Sequence, residues 1–101
     1  MAMIEITQHN YEEEVLQTDM PVIIDFWATW CGPCQMLLPV VEQLAEEVND
    51  IKICKVNVDE QQDLAMKFRV MSVPTLVVMK DGKETNRSIG VISKEEILSL
   101  V

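Results

Sequence analysis

The sequence predicts an α/β domain: one central mixed β-sheet flanked by helices on both faces. Three observations predict it. Apolar runs of strand length alternate with segments of helical periodicity through the first two-thirds of the chain, which implies parallel strands joined by helical crossovers. Asp81-Gly82 between two strand-like runs marks a hairpin, which adds antiparallel strands. No linker, repeat or low-complexity stretch divides the 101 residues, so 1–101 reads as one domain, near the commonest domain size.

Met3-Ile4-Glu5-Ile6-Thr7 alternates and reads as a short, edge-type strand. Asn10 to Leu16 reads as a helix with Asn10 or Thr7 as cap, and Glu12, Glu13 and Glu14 suit its positive end. Val22-Ile23-Ile24-Asp25-Phe26-Trp27 reads as a buried strand. Asp25 interrupts it on the face opposite Ile24 and Phe26. A buried carboxylate costs several kcal/mol unless paired or neutralised, so it either has a role or is satisfied by local hydrogen bonds. A helix follows Cys34 to about Asn49, its apolar stripe being Met36, Leu37, Val40, Val41, Leu44, Ala45 and Val48. Pro39 lies inside it, removes a backbone donor and is expected to kink it.

Ile51 to Asp59 reads as the next strand, with Cys54 a buried, inert thiol. Gln62 to Arg69 is a short helix with Leu64, Ala65 and Phe68 on its apolar face. Val73-Pro74 opens the strand that runs to Met79, since proline is confined to a strand start or an edge. Glu84 to Ile89 is the polar partner strand beyond the hairpin, and Ser93-Lys94-Glu95-Glu96 is a capping box for a last helix through Val101.

The totals exclude several function classes. A net charge of −9 leaves no basic stripe for nucleic acid and argues against anionic lipid surfaces. No run approaches the roughly 18 apolar residues of a membrane span. The N-terminus, Met1-Ala2-Met3-Ile4-Glu5-Ile6, lacks a basic region before its apolar residues, so no secretory signal is read there. The three cysteines are an odd number for a secreted disulfide scaffold, and the setting is read as reducing and cytoplasmic. His9, the single histidine, has no apparent second ligand or orienting partner.

The chemistry concentrates in Trp30-Cys31-Gly32-Pro33-Cys34, where a strand hands over to a helix. A helix start offers unpaired N–H groups and the positive end of the helix dipole. Both favour thiolate over thiol at Cys31. The helix holds Cys34 about one turn on, within reach of a disulfide with Cys31. This five-residue stretch, in its strand–turn–helix context, resembles the active site of the thioredoxin family. The likeness extends over essentially the whole chain: Asp25 in the buried strand, Pro39 in the helix, Lys55, Val73-Pro74-Thr75 and Gly90-Val91 all have family counterparts.

The resemblance implies the thioredoxin fold and a protein-disulfide reductase. Cys31 would attack a target disulfide and Cys34 would resolve the mixed disulfide. Asp25 would lie beneath the pair and accept the Cys34 proton, with Lys55 nearby to offset its burial. Targets would dock on a rim of Trp30, Gly32, Pro33, Val73, Pro74, Gly90 and Val91, the Val73-Pro74 bond being cis. No cofactor is expected, since electrons move between sulfurs. The implied partners are a flavin-dependent thioredoxin reductase as donor and disulfide-containing proteins as targets, with the chain a monomer.

Gly32-Pro33 resembles reductase members, whereas oxidase and isomerase relatives carry a histidine there. Two alternatives from other classes remain open at this stage. One is a binding module in which the dithiol is incidental. The other is a metal site, although the third cysteine and the histidine lack ligand spacing. Met71-Ser72 and Asn86-Arg87-Ser88 depart from the family and are placed to alter partner choice.

Overall fold

A computed structural model describes residues 1–101. The strands are β1 (Ile4–Glu5), β2 (Val22–Trp27), β3 (Lys52–Asn57), β4 (Thr75–Lys80) and β5 (Lys83–Ile89). The α-helices are α1 (Gly32–Glu47), α2 (Gln62–Lys67) and α3 (Lys94–Ser99). They build one five-stranded sheet in the order β1-β3-β2-β4-β5. β2 runs parallel to β3 and antiparallel to β4, so the most apolar strand is also the central one. β1 and β5 form the edges, as their polarity predicts.

Period-two alternation along β2 splits the core in two. Val22, Ile24 and Phe26 face Tyr11, Val15, Leu64 and Phe68 on one side. Ile23 faces Leu37, Val41 and Leu44 of α1 and Ile97 of α3 on the other. Cys54 is wholly buried on the first side, and burial pushes its thiol up to about 12, which fits the inert reading. The capping box at α3 is complete: Ser93 Oγ accepts from the Glu96 N–H and Glu96 Oε1 accepts from the Ser93 N–H, each at 3.1 Å.

Three local expectations are corrected. The first helix is a π-helix over Glu12–Leu16, and neither Asn10 nor Thr7 caps it. Its N-cap is Tyr11, while Asn10 Oδ1 accepts from the Thr7 N–H at 2.7 Å and Asn10 Nδ2 donates to Glu5 O at 2.9 Å, so this side chain is spent on the turn that joins β1 to the helix. The strand expected over Ile51–Asp59 is only Lys52–Asn57, because Asn57 Oδ1 accepts from the Asp59 and Glu60 N–H groups and turns the chain away. Helix α1 ends at Glu47.

At the β4–β5 hairpin Asp81 has φ 52° and Gly82 φ 76°. Left-handed backbone is costly for a residue with a Cβ, by about 1–2 kcal/mol. Gly82→Val is therefore expected to lower stability by at least about 1 kcal/mol in denaturant titration. Gly32→Ala, where a Cβ would meet nothing within 4 Å, is expected to leave stability unchanged in the same measurement.

Candidate functional site

The strand–turn–helix stretch sets the site. β2 ends at Trp27, the chain turns through Ala28-Thr29-Trp30, and α1 begins at Gly32 with Cys31 as its N-cap. Cys31 backbone is extended, as an N-cap requires, and its Sγ accepts from the Cys34 N–H at 3.1 Å. Pro33 has no N–H to offer, and the first-turn donor to this sulfur is the Cys34 N–H. Cys31 and Cys34 form a disulfide with Cα atoms 5.3 Å apart. Both are nearly covered, Cys31 at 5% exposure and Cys34 at 1%, in a cluster with Ala28 bordered by Trp27, Val58 and Val73.

The Val73-Pro74 bond is cis, and the Val73 carbonyl oxygen lies 3.6 Å from Cys31 Sγ. Val73 offers an N–H and a C=O that no backbone group pairs. Pro74 is buried, so of this dipeptide it is Val73 that offers surface. Gly90, with φ 97°, donates its N–H to Pro74 O at 2.9 Å and so brings the Gly90-Val91 loop beside the pair. Trp30, Gly32, Pro33 and Val91 are exposed around the disulfide, Trp30 at 70%. Val73 thus lies against Cys31, and Gly90 is tied to the buried Pro74.

Asp25 is fully buried, and neither carboxyl oxygen has a hydrogen-bond partner. It stands between Lys55 on β3 and Leu76 on β4 in the sheet register. It shares its face with Ile23, which packs under α1, and with Trp27, which borders the cysteines, so it lies below the first turn of α1. Burial raises its pKa from 3.8 to about 7, and the charge of Lys55 opposes the rise. Lys55 is close enough to act through space but forms no ion pair with Asp25; its Nζ lies over the Trp27 ring, 5.7 Å from the centroid.

A family model described as Thioredoxin matches residues 2–101. The chain belongs to the thioredoxin family. Among curated relatives, it is 38% identical to the thioredoxin of Pseudomonas aeruginosa over 98% of this chain and 93% of that one. It is 42% identical to the thioredoxin of Mycobacterium bovis over 96% of this chain and 84% of the relative. It is 41% identical to thioredoxin 1 of Synechococcus elongatus over 88% and 84% of the two chains. The chain is accordingly a thiol–disulfide oxidoreductase with protein-disulfide reductase function, and the Cys31–Cys34 pair fits the active-site dithiol of the family.

Sequence reasoning missed part of the site. Trp30 Nε1 donates to Asp59 Oδ2 at 2.9 Å, which orients the exposed indole. Trp30, Val58, Val70, Met71, Ser72 and Val73 line an open cleft of about 140 Å³, and Met71 is 93% exposed at its edge. The signal was available: Trp27 and Asn57 are in register at the ends of parallel strands, so residues just past each strand meet at one edge of the sheet.

The Asp25 environment predicts a pH-dependent stability. Its folded pKa is raised, so the folded state holds the proton more tightly than the unfolded chain. Stability from this group is fully present below about pH 4 and is lost as pH rises through about 7. A gap of about three pH units corresponds to roughly 4 kcal/mol. Asp25→Asn is expected to match the wild type in urea titration at pH 3.5 and to exceed it by a few kcal/mol at pH 8.5.

Proposed function

We propose that this chain reduces disulfides in other proteins through Cys31 as nucleophile and Cys34 as resolving thiol. The observation that carries the proposal is the placement of Cys31 at the N-cap of α1, with the Cys34 N–H donating to its sulfur and Cys34 itself within bonding distance. The Cys31 thiolate attacks one sulfur of the target, the target S–S bond breaks, and its other sulfur leaves as a thiolate. Cys34 then gives up its proton and attacks Cys31 Sγ. The mixed disulfide breaks, the target keeps both electrons, and Cys31–Cys34 is left oxidised. Asp25 accepts the Cys34 proton. Its unpartnered carboxyl, with a pKa of about 7, favours that role because a base works best when its pKa is near the ambient pH.

The target segment docks in extended form on the free N–H and C=O of Val73, which tolerates varied sequence. Trp30, Gly32, Pro33, Val73, Gly90 and Val91 supply the contact surface. The apolar cleft beside Trp30 takes one target side chain: a cavity of about 150 Å³ accommodates a benzene-sized group, and this one is about 140 Å³. Electrons return from a flavin-dependent thioredoxin reductase. The chain acts as a one-domain monomer in the reducing cytoplasm, a reading that the cysteine usage supports.

Reduced protein mixed with a disulfide-linked target tests the proposal. Wild type should turn over with a chemical reductant in excess, Cys31→Ser should not, and Cys34→Ser should accumulate a mixed disulfide visible on a non-reducing gel. Turnover no faster than that of a simple dithiol would refute it. Met71→Asp is expected to raise KM about five- to tenfold for targets with a large apolar residue beside the reactive cysteine, since half-burying such a side chain is worth about 1 kcal/mol. Its kcat should be unchanged.

A further inference from the structure

Lys55 has two neighbours on its face of the sheet and rests on one of them. Parallel pairing sets it directly opposite Asp25. Trp27, two residues along β2 from Asp25, projects from the same face. The ammonium could therefore reach the carboxyl or the indole, and it lies over the indole, 5.7 Å from the ring centroid. The ion pairs of the chain are Lys52–Glu14, Arg87–Glu84 and Lys94–Glu47, and none involves Lys55. Both Asp25 oxygens stay without a partner.

An ammonium opposite a buried carboxyl is drawn onto it, because low dielectric strengthens the attraction. A competing seat is needed to hold it away. The face of a tryptophan ring is the best aromatic seat for a cation, worth about 0.5–2 kcal/mol according to how far the cation is desolvated. Lys55 is half-buried, and Trp27 is packed between the sheet and the cysteine cluster, so the ring is fixed in place.

We propose that Trp27 is a positioning residue for Asp25: its ring holds the Lys55 ammonium beside the carboxyl and off it. The consequence for catalysis rests on Asp25 being the proton acceptor. A directly ion-paired carboxylate would be a weak base at neutral pH, while a buried one with no cation near would hold its proton too tightly to cycle. The intermediate placement keeps the carboxyl between these limits, with burial as the larger influence and Lys55 the smaller, opposed one. The residues beside Asp25 on its face of the sheet are Lys55 on β3, Leu76 on β4, and Ile23 and Trp27 on β2, and α1 packs over that face through Leu37, Val41 and Leu44. Lys55 is the one charged group among them, and in the disulfide form Cys34 does not titrate.

The test is a carbon-detected NMR titration of the Asp25 carboxyl in the oxidised protein. It compares wild type, Trp27→Phe and Trp27→Leu, each with Lys55 present and in a Lys55→Met background. With Lys55 present, Trp27→Leu is expected to lower the Asp25 midpoint by about one pH unit or more, as the freed ammonium closes on the carboxyl. Trp27→Phe, which keeps a weaker ring face, should lower it less. In the Lys55→Met background neither substitution should lower it. An equal fall in both backgrounds would show that the indole acts by excluding water, and no fall with Lys55 present would show that the ring does not hold the cation; either overturns the proposal. If Trp27→Leu does not fold, the Trp27→Phe pair decides by the same comparison. The titration is read whether or not Asp25 is the base, so failure of that assignment shows separately, as an unaltered rate of mixed-disulfide resolution in Asp25→Asn.

Discussion

A carboxyl without a partner, sealed between a sheet and the first turn of a helix, is the constraint on which this structure turns. Asp25 occupies the central strand, paired on both sides, where every neighbouring position in β2 is apolar. Parallel pairing with β3 places Lys55 opposite, antiparallel pairing with β4 places Leu76 opposite, and α1 covers the face. Each of these elements also carries part of the redox site. β2 leads into the cysteines, β4 begins beside the cis proline, and α1 starts at Cys31. The elements that bury the carboxyl are therefore the ones that hold the sulfurs above it.

The buried carboxyl costs stability. Folding holds Asp25 protonated to about pH 7, at a cost in stability that builds as pH rises from about 4 and is complete above about 7. The rest of the core offsets this cost with two apolar layers, one on each face of the sheet, built from Val22, Ile24 and Phe26 on one side and Ile23, Leu76 and Val78 on the other. The exposed apolar groups tell the complementary story. Trp30, Met71 and Val91 remain uncovered at the end of the sheet where the disulfide lies, which suits a surface that receives other chains.

Much of this was legible in the sequence because the signals were strong and local. The alternation of Ile23, Asp25 and Trp27 against Ile24 and Phe26 located the buried carboxyl, and Asp81-Gly82 located the hairpin. Cys31 at the strand-to-helix junction located the redox pair, and the family resemblance supplied Lys55 opposite Asp25 and the Val73-Pro74 and Gly90-Val91 segments. What was not legible depended on which of several polar groups a side chain chooses. Asn10 or Thr7 was expected to cap a helix, and Asn10 instead ties the preceding turn through the Thr7 N–H and the Glu5 carbonyl. Asp59 was read as the end of a strand, yet it orients Trp30. Lys55 was expected near Asp25 and is near it, but its ammonium lies over the indole of Trp27. Such choices are settled by tertiary geometry of a few ångströms, which periodicity does not encode.

The account stands most directly on proton transfer to Asp25 during resolution of the mixed disulfide. A stopped-flow measurement of that step, from a preformed Cys31–target mixed disulfide, over pH 5 to 9 in wild type and Asp25→Asn would test it. The account predicts a wild-type rate that rises with a midpoint near 7, the value that burial gives Asp25, and an Asp25→Asn rate lower by about 10²-fold or more at neutral pH with that midpoint gone. Coincident rate profiles for the two proteins would contradict it and would leave the buried carboxyl without a part in the chemistry.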